Sequence, residues 1–173
     1  VTAAVKGIAE TAQMCRNAGL PVEIVSCGGT GTYWITAGQP GITEIQAGGG
    51  VFCDVHYRND FAIAHPYALT VMTTVTSRPT PTRIICDAGK KTMSSDAAGP
   101  QPLGLGPVRS ARLSAEHGTI ELESPSETPR VGDRLEWVVG YSDTTVHLHE
   151  EIYATRNGRI EAVWPILGRG KIR

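Results

Sequence analysis

Two stretches of this chain gather residues able to do chemistry. In SCGGTGTYW, Ser26 to Trp34, the residues Gly28, Gly29, Thr30, Gly31 and Thr32 follow the β-branched run Val22 to Val25. Successive backbone N–H groups uncovered by side chains, with two hydroxyls beside them, suit an anion such as a phosphate dianion. The same letters also suit a tight turn that needs positive φ. In GYSDTTVHLHEE, the groups Asp143, His147, His149 and Glu150 stand within eight residues of one another. On a strand, His147 and His149 share one face, where such groups either hold a divalent cation or form an ordinary polar surface. Tyr33 reads as a packing residue, Asp87 as a turn former, and Lys90 and Lys91 as a solvated pair.

The elements that must position these residues change character near Gly48. Before it, helical spacing of Val5, Ile8, Ala9, Ala12 and Cys15 predicts a helix over Thr2 to Arg16. A short buried strand (Val22 to Val25), the glycine loop and a second strand (Thr43 to Gln46) complete a βα pattern. After Gly48 helical periodicity disappears. Strands are expected over Tyr67 to Ser77, Thr82 to Cys86, Val108 to Ala115, Thr119 to Leu122, Leu135 to Val139, Val146 to Ala154 and Ile160 to Val163. His117-Gly118 and Asn157-Gly158 read as hairpin turns, and Met93 to Pro107 as a long connection. The expected organisation is α/β over residues 1–50, then all-β over 51–173.

Composition narrows the function classes. The chain has 173 residues, 40% hydrophobic and 19% charged, with a net charge of -1. That supports a buried core and gives neither nucleic acid nor an anionic membrane an obvious handle. A small-molecule partner is expected. Cys15, Cys27, Cys53 and Cys86 form no CxxC pair, which reads as reduced thiols in a cytoplasmic protein. No stretch of about eighteen apolar residues occurs. The first twenty residues read as the middle of something longer, and this is expected to be a piece of a larger chain.

Five stretches in order carry a more specific signal: VSCGGTGTY, TEIQAGGGVFCD, SRPTPTRIICDAGKKTMSSD, VGDRLEWVVGYSDTTVHLHEE and GRIEAVWPILGRG. Together they resemble the D-threonine aldolase and D-serine dehydratase family of pyridoxal-phosphate enzymes, from about Val22 to the end of the chain. The resemblance implies an alanine-racemase type of fold: the last βα units of a TIM-like barrel followed by a β-rich C-terminal domain. It implies that Gly29, Thr30, Gly31 and Thr32 form the phosphate loop, with Gly48 and Gly49 in a later segment near the cofactor. It implies a metal site at the positions of Tyr141 and Asp143, where the family carries His and then Cys or Asp. Asp143 matches and Tyr141 departs, since a neutral phenol is a poor metal ligand at pH 7. Three readings stand: a weakened site, recruitment of His147 or His149 to hold Mn, Mg or Zn, or a metal-free member in which Tyr141 acts by hydrogen bonding.

The activity implied is cleavage of D-configured β-hydroxy amino acids to glycine and an aldehyde, with Tyr141 acting at the β-oxygen. The alternatives are a D-serine or D-hydroxyaspartate dehydratase, a racemase, or a non-catalytic phosphate-ligand binder. A homodimer is usual for the resembling enzymes. Such catalysis needs a lysine joined to the cofactor. Lys6, Lys90, Lys91 and Lys171 all lie where no barrel strand precedes them, so the chain on its own is expected not to catalyse.

Overall fold

A computed structural model describes residues 1–171; Ile172 and Arg173, the end of the expected β-rich domain, lie outside the described residues. The chain divides into two compact units, each treated by itself. The first comprises Val1–Cys53 and Tyr57–Pro66; the second comprises Asp54–His56 and everything from Tyr67 onward.

In the first unit, α1 (Thr2–Asn17) buries Val5 and Ala12, seven residues apart on one face of an amphipathic pattern. Gly19, at φ 82°, closes its C-terminal end. Strand β1 (Ser26–Gly29) pairs in parallel with β2 (Glu44–Gln46), and the short helix α2 (Tyr33–Thr36) lies between them in sequence. A 3-10 turn, Gly48–Val51, follows β2. The predicted strand Val22 to Val25 is corrected. Glu23 and Ile24 are exposed and only Val25 meets the second strand segment, donating to Thr43 Oγ1 at 2.8 Å and accepting from Thr43 N–H at 3.0 Å. β-branched residues favour a strand only where a partner exists to pair with. The ladder therefore begins at Ser26, and Gly28 and Gly29 belong to the strand itself.

The second unit is built on an antiparallel six-stranded sheet. Its members are β3 (Thr70–Thr80), β4 (Arg83–Cys86), β5 (Gln101–Pro102), β6 (Val108–Leu113), β7 (Gly118–Leu122) and β8 (Arg134–Val138), in the order β5-β8-β3-β4-β7-β6. Alternation along β3 turns Val71, Thr73 and Val75 inward, against Leu135 and Trp137 of β8. Trp137, Ile84, Met93, Ile120 and Val75 are wholly buried. Each such side chain contributes roughly 1.5–3 kcal/mol of transfer free energy. The buried hydroxyl of Thr73 accepts from the Trp137 indole N–H at 3.3 Å and donates to Leu135 O at 2.9 Å. Burial pushes the Cys86 thiol above its ordinary pKa of 9.0, the largest effect on it.

A separate hairpin, β9 (Glu151–Arg156) and β10 (Arg159–Pro165), turns through Asn157 and Gly158, both at positive φ, as that dipeptide predicts. Three other expectations need correction. Helix does continue past Gly48, in α3 (Val55–Phe61) and α4 (Ser142–Val146). The predicted strand Val146 to Ala154 starts only at Glu151, because Thr145 Oγ1 bonds Tyr141 O at 2.7 Å and closes a helical turn ahead of it. The β6–β7 connection is the four-residue loop Ser114 to His117, tied by Ser114 Oγ and His117 N–H at 3.1 Å. Gly118 serves packing instead: a Cβ there would press on the Trp137 ring at 3.0 Å.

Candidate functional site

Within the first unit, the two glycine stretches come together. The N–H of Gly50 donates to the hydroxyl of Thr30 at 2.9 Å, and Thr30 is 2% exposed. Gly31 packs against the Phe61 ring and Gly49 against the Tyr57 ring so closely that a Cβ at either position would collide. Gly29 and Gly48, by contrast, have open space where a side chain would start. The N–H of Thr32 is bonded to Gly29 O at 3.0 Å. Gly29 and Gly48 therefore leave open space beside the bend, and the bond from Thr32 stiffens it. That open space is compatible with a phosphate group such as the one pyridoxal phosphate carries.

Tyr33, at the end of that bend, is more than packing. Its hydroxyl meets Nε2 of His65 at 3.0 Å and the two rings stack with centroids 6.0 Å apart. Nothing in the local sequence signals this pair, because thirty-two residues separate its members.

In the second unit, Tyr141 and Asp143 are joined directly: the phenol donates to Oδ2 of Asp143 at 2.9 Å. The turn carrying them is held by a segment far away in sequence. Asp54, fully buried, accepts from Ser142 N–H at 2.7 Å and from Ser142 Oγ at 2.8 Å. Val55 N–H donates to Val139 O and His56 N–H to Gly140 O, and the His56 ring meets Tyr141 edge-on at 5.1 Å. On the other side, Ser94 N–H donates to Thr145 Oγ1 at 3.1 Å and Thr144 Oγ1 to Asp96 at 3.0 Å. Gly140 lies so near Ala98 O that no Cβ is accommodated. Asp54 and His56 escaped the reading of the sequence; an acidic residue following a glycine-rich turn was the available signal.

The expected metal ligands do not assemble. With Val146 helical, His147 and His149 leave the shared strand face. The ring of His147 lies 3.4 Å from the main-chain oxygen of Asp143 instead of its carboxylate, and Nε2 of His149 lies 2.7 Å from Thr92 O. Among the described residues no three His, Cys, Asp or Glu side chains gather as a metal-holding group. Catalytic zinc takes three protein ligands, and with a phenol in place of the histidine and both nearby imidazoles engaged by main-chain oxygens these residues do not supply them. Nor do the lysines described here suit cofactor attachment. Lys6 pairs with Glu10 at 3.6 Å, and Lys91 with Glu116 at 2.6 Å, all on exposed side chains. The bond from Lys91 holds the Glu116 carboxyl below its ordinary range.

Comparison with known proteins gives the family and the fold. Residues 68–155 match the family model described as "Putative serine dehydratase domain". A D-threonine aldolase from Arthrobacter sp. is 33% identical over 94% of this chain and 44% of its own length. The crystal structure of a D-threonine aldolase from Filomicrobium marinum superposes with a TM-score of 0.90 at 30% identity, over 98% of this chain and 47% of that one. An alanine racemase-like protein from Idiomarina loihiensis, at 21% identity and a TM-score of 0.68 over 93% of this chain and 51% of that one, shows the fold alone. The chain spans about half the length of these relatives. Its α/β-then-all-β order is that of the alanine-racemase type of fold, and with just over half of its residues inside the family model, it belongs to the D-threonine aldolase and D-serine dehydratase family.

Proposed function

We propose that this chain is the C-terminal part of a pyridoxal-phosphate-dependent lyase that cleaves D-configured β-hydroxy amino acids to glycine and an aldehyde. The observation that supports the reading is the Gly50–Thr30 hydrogen bond, which brings the two glycine stretches together. Gly29, Thr30, Gly31, Gly48 and Gly49 hold the phosphate. Thr32 keeps the bend rigid through its bond to Gly29 O. The bound cofactor supplies an electron sink for the substrate's Cα. The chain's own contribution is to anchor that cofactor and to present Tyr141 and Asp143 as polar groups for a hydroxyl. The lysine joined to the cofactor is assigned to the portion of the relatives' length that this chain does not span.

Aldol cleavage is favoured by the Arthrobacter and Filomicrobium relatives, both D-threonine aldolases. The family model, named for a serine dehydratase, favours a second reading in which hydroxide is expelled after loss of the α-proton. Four free cysteines support a reducing, cytoplasmic setting. A homodimer is part of the proposal, supported by the apolar residues Tyr153, Val163 and Trp164 left exposed on the β9–β10 hairpin.

The test is to purify the full-length protein, titrate it with pyridoxal phosphate by visible absorbance, and assay D-threonine for aldehyde and for keto acid. Aldehyde with glycine confirms cleavage, keto acid confirms dehydration, and absence of both with no absorbance change overturns the reading.

A further inference from the structure

The turn from Val139 to Thr145 is more firmly built than a surface turn requires. Three segments far apart in sequence meet there: Asp54–His56, Ser94–Ala98 and the turn itself. Asp54 is the strongest of these restraints. Its carboxylate is wholly buried and takes both the N–H and the hydroxyl of Ser142, the residue between Tyr141 and Asp143. A buried carboxyl group needs hydrogen-bond partners, and the bonds at 2.7 and 2.8 Å to its Oδ2 supply two while tying down the backbone and side chain of Ser142. The His56 ring edge against Tyr141 and the Thr145 hydroxyl on Tyr141 O restrict the phenol further. What this framework presents is a phenol already hydrogen-bonded to a carboxylate, and among the described residues no three His, Cys, Asp or Glu side chains gather around them.

We propose that Tyr141 and Asp143 form a hydroxyl-handling pair that works without a metal ion, and that Asp54 is the positioning residue that holds it. The inference rests on the lyase reading above and deepens it. In the cleavage direction the substrate β-hydroxyl gives its proton to the Tyr141 oxygen while the phenol proton passes to Oδ2 of Asp143. The O–H bonding pair becomes the second bond of the aldehyde C=O, and the Cα–Cβ pair stays on Cα. Asp143 releases its proton to solvent, and Cα takes one from solvent to give glycine, so protons balance. A neutral phenol bonded to a carboxylate is suited to this relay at pH 7, whereas it is a poor cation ligand there. The carboxylate has its acceptor oxygen on the phenol, which sets the direction of transfer before substrate arrives.

The experiment uses the full-length enzyme, with Mn2+ as the metal probe. In equilibrium dialysis the wild type takes up no Mn2+ that Asp143→Asn fails to take up, and dialysis against chelator leaves kcat unchanged. Stoichiometric Mn2+ lost in Asp143→Asn, or activity abolished by chelator and restored by Mn2+, overturns the metal-free pair. Tyr141→Phe, which removes one partly exposed hydroxyl and keeps the fold, lowers kcat by about 100-fold or more, with KM little changed. An unchanged kcat overturns the role of Tyr141. Ser142→Ala leaves its N–H bond to Asp54 intact and removes the hydroxyl bond; the melting temperature falls, and kcat falls by about 10- to 100-fold at constant KM. A fall in melting temperature with full kcat overturns the positioning role. Should no variant or wild type turn over D-threonine or bind pyridoxal phosphate, the lyase reading fails, and the Mn2+ dialysis alone still decides whether the pair is a metal site.

Discussion

The hydroxyl of Thr30 accepts the N–H of Gly50 at 2.9 Å, across twenty residues of sequence and inside a 2% exposed environment. That bond ties together two glycine stretches whose flexibility would otherwise leave their donors unorganised. Replacing Thr30 by Val keeps the volume and strands the Gly50 N–H, at a cost of about 1–3 kcal/mol in stability. Thr30→Ser retains the acceptor and costs less. Urea denaturation of the two variants checks the difference, and equal losses in both would count against the bond.

Gly29 and Gly31 separate packing from ligand contact. A Cβ at Gly31 meets the Phe61 ring, so Gly31→Ala is expected to cost about 1–3 kcal/mol through overpacking. Nothing obstructs a Cβ at Gly29, so Gly29→Ala should melt like the wild type while binding pyridoxal phosphate more weakly in the full-length protein. Unaltered affinity in Gly29→Ala would remove that residue from the cradle.

The Thr73 hydroxyl joins two strands of the core by accepting from Trp137 and donating to Leu135 O. Thr73→Val leaves the buried indole N–H without its acceptor. A destabilisation of about 1–3 kcal/mol is expected in chemical denaturation, and Thr73→Ser should recover most of it.

Stability should fall in alkali because of Cys86. Burial raises its thiol pKa in the folded state, so above about pH 9 the unfolded chain releases the thiol proton before the folded chain does. The contribution is fully present below the unfolded pKa and is lost as pH rises through the folded one. Urea midpoints measured on either side of pH 9 should show the decline, with a shallower one in Cys86→Ala. Identical slopes would assign the effect to other groups.

Lysine labelling tests where the cofactor is attached. Lys6 and Lys91 are exposed and paired with carboxylates, and Lys90 and Lys171 are exposed. Treating this chain alone with pyridoxal phosphate and borohydride should give only scattered, substoichiometric adducts. A single lysine modified stoichiometrically would place the attachment point within these residues.

How much of this was legible in the letters differs between local and long-range features. Residue order alone determined α1, the β-rich second part, the Asn157-Gly158 turn and the family to which the chain belongs, because helical period, β-branched runs and turn chemistry act between near neighbours. Strand propensity at Val22 to Val25 misled, since a strand exists only where another backbone pairs with it, and the pairing begins at Ser26. The shared face of His147 and His149 was lost for a related reason: the Thr145–Tyr141 bond makes a helical turn that period-2 reasoning cannot foresee. The Gly50–Thr30 bond, the Tyr33–His65 pair and the buried Asp54 beneath Ser142 were decided only by tertiary structure. Each needs two backbone segments twenty to eighty-eight residues apart to be brought within hydrogen-bond reach, and that approach is set by which apolar faces bury together, which no local run of sequence encodes.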